Sequence, residues 1–163
     1  MKLGVLRHPW IAFVLRLALG AVFLWAGIAK ASDPHTFGLE IARYRMVPHE
    51  VINLMAILLP WIEILAGAAL VLGLWTRASA LVCGGLMVVF LVALISALQR
   101  GLDISCGCFG ASDSAARISQ AYLWRDLLWL LWAGHVFLYD RGVLGLDWLI
   151  GRRAAATASG GAP

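Results

Sequence analysis

Charge is what this chain has least of. Only 13% of its 163 residues are Asp, Glu, Lys or Arg, against 62% that are hydrophobic, whereas soluble domains carry about 25% charge. That supply cannot cover a water-exposed surface, so a soluble domain of this size is excluded. Cysteine is equally scarce. Cys83, Cys106 and Cys108 allow a single intrachain pair, which excludes a disulfide-stapled secreted scaffold. The formal charge of +4 is modest and scattered. There is no basic face and no base-reading motif, so nucleic acid is not an expected partner.

What the chain does have is long apolar runs, at about 10–30, 51–75, 78–98 and 119–139. Each is near the ~20 residues needed to cross the hydrocarbon of a bilayer. Backbone groups inside lipid must be satisfied within the segment, so these runs are expected to be helices. The expected fold is all-α: a polytopic, four-helix transmembrane bundle forming one membrane domain over 1–150. Lys2 and Arg7 ahead of the first run imitate a signal peptide. The run is longer than a typical signal core of roughly 7–15 residues, and Ala29-Lys30-Ala31 is a poor cleavage site. A retained first helix is expected. Residues 142–150 are too short to span, and the Ala/Gly/Ser-rich tail 151–163 is expected to be disordered and cytoplasmic.

Orientation follows from the distribution of basic residues. Lys2, Arg7, Arg77, Arg141, Arg152 and Arg153 outnumber Lys30, Arg43, Arg45, Arg100 and Arg117 by a thin majority. This places both termini in the cytoplasm and the loops 31–50 and 99–118 outside. Trp10, Trp61, Trp75 and Trp124 are expected at or near span ends, as an aromatic belt. In the first outer loop, Phe37, Ile41 and Tyr44 share a helical face, with Glu40, Arg43 and Arg45 elsewhere. A short interfacial helix is expected there, ended by Pro48. It would serve as a cap over the bundle mouth or as a lid above the second outer loop.

Arg16, Glu63, Arg125 and Asp126 interrupt the apolar spans. Ionisable groups in hydrocarbon face the bundle interior or a polar cavity. Helical spacing puts Arg16, Gly20, Phe23, Gly27 and Lys30 on one face, Ala56, Pro60, Glu63 and Gly67 on another, and Tyr122, Asp126, Trp129 and Ala133 on a third. From their depths, Arg16 is expected to reach up to Glu63, and Lys30 to meet Asp126. Pro60 should free a carbonyl one turn earlier and kink its helix or open it for a ligand. These groups read either as ion pairs that fix helix register or as a polar ligand site. As a ligand site, Pro60, Glu63, Tyr122, Arg125, Asp126 and Trp129 would line a pocket for a quinone headgroup. His135 is expected in a helix-terminus role.

The second outer loop carries Cys106-Gly107-Cys108-Phe109-Gly110. A disulfide across one intervening residue closes a very small ring. Strained, exposed disulfides are labile and oxidising, which suits exchange better than scaffolding. Arg100 or Arg117 beside a thiolate would stabilise it. A structural staple remains open, as does a mixed metal site with His35 and His49. Structural zinc wants four ligands, and this stretch offers no further cysteine, so no metal is expected. Cys83 lies about 25 Å from the pair along a straight helix and is expected to be a small buried apolar residue.

These residues carry a resemblance. Arg16-Leu17-x-Leu19-Gly20 with Phe23-Leu24-x-Ala26-Gly27-x-x-Lys30 resembles the first helix of the DoxX-like membrane proteins. Tyr44-x-x-x-Pro48, Leu59-Pro60-Trp61-x-Glu63, Gly67 and Gly73 continue the pattern. The Cys-Gly-Cys-Phe-Gly run, with Arg125-Asp126 after it, resembles the MauE branch, the methylamine-utilisation family. The resemblance covers about 10–140. It implies a four-helix protein of the bacterial inner membrane, tied to periplasmic disulfide formation during maturation of methylamine dehydrogenase, often alongside thioredoxin-like partners. This chain has no Cys-x-x-Cys, so a periplasmic thioredoxin-like or disulfide-containing partner would have to complete a thiol circuit. The expected function is therefore a membrane component of thiol–disulfide exchange through Cys106 and Cys108, with a membrane quinone as electron carrier. Two alternatives stand beside it: a small-solute transporter, for which a homodimer would be needed, and a membrane adaptor for a maturation enzyme.

Overall fold

The computed structural model describes residues 9–102, 120–140 and Gly145. Five helices are found among them: α1 (Pro9–Ser32), α2 (Pro34–Arg43), α3 (His49–Leu72), α4 (Thr76–Gln99) and α5 (Gln120–Tyr139). The chain is an all-α polytopic membrane protein. Three helices, α1, α3 and α4, are long and apolar enough to cross a membrane. Helix α5 has 20 residues, and Arg125, Asp126 and His135 make it less apolar.

Local chemistry sets the helix ends. The Asp33 side chain accepts a hydrogen bond from the Thr36 amide at 3.0 Å, and Pro34 follows at the first helical position, so α2 starts one residue after α1 stops. Helix α3 ends at Gly73, whose φ of 70° is left-handed. The Leu74 amide donates back to the Ala69 carbonyl at 2.8 Å, closing the turn that glycine permits. Trp75 is also left-handed, at φ 42°, and α4 begins at once. Helix α3 runs through Pro60 without a break.

Glycines bring α1 and α3 into backbone contact. A Cβ on Gly67 would lie 2.7 Å from the Leu24 nitrogen, and one on Gly27 would lie 2.9 Å from the Pro60 carbonyl oxygen. Without a strong hydrophobic drive between helices in lipid, such close approach is what holds a pair together. Helices α4 and α5 complete the core through Cys83, Ala133 and Val136, packed on Leu19, Phe23 and Leu70. Cys83 is a fully buried core residue, as its size suggests.

The outer surface is apolar. Trp25 is 69% exposed, Leu65 67% and Val89 63%, the pattern of helices solvated by lipid. The aromatic belt differs from expectation at one place: Trp61 stands midway along α3, where it is exposed on the apolar surface.

Helix α2 packs Phe37 and Gly38 toward the first turns of α3, where Gly38 approaches Ala56 and Ile52. Phe37 and Tyr44 are buried and Ile41 half-buried, the face the sequence pattern picked out. Glu40 is buried too, although its spacing had put it on another face. Arg100, at the end of α4, donates to the carbonyls of Tyr44 and Arg45 at 2.5 and 3.4 Å. The end of α4 and the end of α2 therefore lie together.

Candidate functional site

Among the described residues, buried ion pairs tie α1 to α3 and to the end of α5, and a further pair lies within α5. Lys30, in the last turn of α1, donates to both carboxylate oxygens of Glu63 on α3, at 2.6 and 2.9 Å. Arg125 on α5 holds its neighbour Asp126 through Oδ1, with Nε and Nη2 both at 3.1 Å. Arg16 pairs with Asp140, just past α5, at 3.3 Å, and both side chains are buried. In a low-dielectric interior each such charge would be costly alone, so every one of them needs a partner.

The expected pairings are corrected. Arg16 does not reach Glu63. It sits about 21 Å down α1 from Lys30 and is used by Asp140. Lys30 meets Glu63 rather than Asp126. The reason is register: the Gly27–Pro60 and Gly20–Gly67 contacts set α1 against α3 so that Lys30 falls beside Glu63.

Two cavities share this pair as a wall. The larger, about 170 Å³, lies under α2 and is lined by Lys30, Glu40, Tyr44 and Glu63 together with apolar residues of α3 and α4. The smaller, about 60 Å³, lies between α1, α4 and α5 and is lined by Lys30, Glu63, Arg125, Asp126 and Trp129 with an apolar remainder. Glu63, Arg125, Asp126 and Trp129 are thus brought together, as the sequence pattern had grouped them. Pro60 is not among the lining residues; it is buried against Gly27 at the α1–α3 contact. Tyr122 stands behind Arg125, its ring centroid 4.7 Å from the guanidinium carbon, and is likewise outside the lining. Cys106 and Cys108 lie outside the described residues.

Lys30 and Glu40 were not among the residues expected in the site. The signal for Lys30 was present, since it shares the Arg16–Gly20–Gly27 face. Glu40 follows Phe37 by three residues, which puts it beside the buried stripe. The Lys30 ammonium also lies 5.3 Å from the centroid of the Phe37 ring. Around Tyr44, burial pushes the phenol well above its ordinary pKa, with Glu40 and Asp126 adding to the rise. It is a neutral hydrogen-bonding group at the roof of the larger cavity. At the exposed start of α2, the hydrogen bonds from Thr36 hold the Asp33 carboxyl below its usual range.

Apolar helices enclosing paired charges and a small polar interior define an integral, multi-pass inner-membrane protein with a buried ionic site. The family described as Methylamine utilisation protein MauE matches residues 8–139. The chain belongs to this family of DoxX-like membrane proteins. It is 28% identical over 125 residues to the "Methylamine utilization protein MauE" of Methylophilus methylotrophus, covering 76% of this chain and 66% of that one. The protein of the same name from Paracoccus denitrificans is 29% identical over 64% of this chain and 56% of its own length. That of Methylorubrum extorquens is 29% identical over 92% of this chain and 75% of its own. The chain therefore matches less than two thirds of the length of the first two relatives. No solved structure matches it.

Proposed function

We propose that this protein is the membrane component of a periplasmic thiol–disulfide exchange or redox-maturation system, with Cys106 and Cys108 as the exchanging sulfurs. In this reading α5 is the fourth span, α2 is an interfacial helix, both termini are cytoplasmic and the Cys-Gly-Cys loop faces the periplasm. The relatives' names tie them to methylamine utilisation, and maturation of a methylamine dehydrogenase-like enzyme is the corresponding setting. The observation that carries the reading is positional. The Arg100 contacts put the end of α4, from which the chain runs on toward Cys106, at the same end of the bundle as α2 and the larger cavity.

The exchange balances as follows. A partner thiolate attacks one sulfur of the Cys106–Cys108 disulfide and the other sulfur leaves as a thiolate. The partner's second thiolate then resolves the mixed disulfide, so the partner is oxidised and Cys106 and Cys108 are reduced. Two electrons and two protons must then pass to a carrier, for which a membrane quinone is the proposed class. Glu63, Arg125, Asp126 and Trp129 would face its headgroup.

The exchange is reversible: replacing either Cys106 or Cys108 singly with serine leaves one thiolate that can attack the oxidised partner's disulfide and removes the second sulfur that would release that partner. Each variant should accumulate a mixed disulfide with a periplasmic partner, visible as a reducible shift on a non-reducing gel. If neither traps a partner and maturation proceeds unimpaired, the reading fails. The transporter alternative draws on the same polar cavities and requires solute flux in proteoliposomes that depends on Glu63.

A further inference from the structure

The two cavities leave one hydrogen bond incomplete. The Lys30 ammonium has three N–H groups, and its hydrogen bonds among the described residues are two, both to Glu63. Asp126 is 3% exposed, and its Oδ1 is held by Arg125, while its Oδ2 has no hydrogen-bond partner among the described residues. Lys30 and Asp126 line the same cavity of about 60 Å³. A water needs roughly 10–15 Å³ of such space and two or more polar partners, and both conditions hold here. A buried carboxylate oxygen without a donor is costly, so the site selects a small donor.

We infer that Lys30, Glu63 and Asp126 form a proton-transfer site, completed by water that joins the Lys30 ammonium to Asp126 Oδ2. A proton arriving from the larger cavity on Glu63 neutralises that carboxylate and loosens its hold on Lys30. Lys30 then donates an N–H proton to the water, and the water donates one to Asp126 Oδ2. Lys30 recovers a proton from Glu63. The net change is one proton moved from Glu63 to Asp126, with no oxidant or reductant consumed. The pathway joins the larger cavity to α5, and it stands whether the chain exchanges thiols or carries a solute.

The surrounding charges fit such a transfer. Lys30 on α1, Glu63 on α3, and Arg125 and Asp126 on α5 sum to zero when all are ionised, so either carboxylate can hold one added proton. Glu40 and Tyr44 face the larger cavity from the α2 side. On α4, Cys83 is buried in the core within electrostatic reach of Glu63 but does not line the smaller cavity; the α4 residues that do, Leu86, Met87 and Phe90, are apolar.

The test is infrared difference spectroscopy on the full chain in lipid nanodiscs, following carboxyl protonation across pH in light and heavy water. Asp126→Asn identifies the Asp126 band. Two carboxyls sharing one relay titrate as a coupled pair, so Glu63→Gln should move the Asp126 midpoint by about one pH unit or more, and Lys30→Arg should retain the coupling. An Asp126 midpoint unchanged in Glu63→Gln, or an Asp126 that never takes a proton, overturns the inference. A purely register-fixing pair would give that second result. If Asp126→Asn fails to fold, Asp126→Glu, which keeps the carboxyl and shifts its band, makes the assignment, and the coupling comparison in Glu63→Gln and Lys30→Arg survives.

Discussion

Lys30 spans both oxygens of Glu63 with one ammonium, at 2.6 and 2.9 Å, across 33 residues of sequence. The pair pins the last turn of α1 to the middle of α3 and forms the wall between two cavities. Breaking a buried pair by removing one partner leaves an uncompensated charge, which costs about 3–5 kcal/mol. Lys30→Met should therefore destabilise the protein by about that much. The double variant Lys30→Met, Glu63→Gln should recover part of the loss. Thermal unfolding of the four chains in detergent closes the cycle, and purely additive losses would show that the pair is not coupled.

The close contact of α1 and α3 makes a sharper prediction. A Cβ on Gly67 meets backbone atoms of Leu24 and Gly20 at 2.7 and 2.8 Å, and neither can move aside as a flexible side chain would. Gly67→Ala should cost about 1–3 kcal/mol, the usual penalty of overpacking. At Gly85 nothing lies within 4 Å, so Gly85→Ala should be neutral or mildly stabilising through helix propensity. Melting temperatures of the two variants, measured side by side, check the contrast.

Arg100 gives α2 its tie to α4 through the Tyr44 and Arg45 carbonyls. Arg100→Ala should raise hydrogen exchange in the connection after α2 and leave the α1–α3 contact protected. Exchange mass spectrometry reads both regions at once, and a uniform rise would indicate global destabilisation instead.

The start of α2 should respond to acid. Asp33 caps the helix as a carboxylate, and its hydrogen bonds from Thr36 lower its folded pKa below the ordinary aspartate value. A lowered folded pKa means that the cap's contribution is present above the unfolded value and lost as pH falls through the folded one. Exchange protection of the Thr36 amide should hold at neutral pH and decline below about pH 4. Asp33→Asn keeps an acceptor at this position, so its protection should be independent of pH.

Much of this architecture was legible in the sequence. The apolar runs predicted α1, α3, α4 and α5 to within a few residues at most ends, because helix length and hydropathy are local properties. The faces carrying Arg16 with Gly27, and Asp126 with Trp129, could be drawn from a period of 3.6 residues. Burial of Glu40 could be drawn only in part: three residues after Phe37 it borders the buried stripe, but spacing gives the angle around α2 and not what lies beside it. Pro60 looked like a ligand position, yet its carbonyl oxygen packs on Gly27 and its ring is fully buried.

The sequence alone determined that this chain lives in a membrane, that its few interior charges had to be paired, and that the stretch 99–118 carries two cysteines separated by one glycine. Only the tertiary structure decided the partners: Lys30 with Glu63, Arg16 with Asp140, and an Asp126 that lines a cavity with one oxygen lacking a hydrogen-bond partner among the described residues. The physical reason is that pairing depends on how far one helix slides along another. A single 1.5 Å step per residue is enough to exchange one ionic partner for the next. That slide is set by glycine contacts between backbones, which no one-dimensional pattern records.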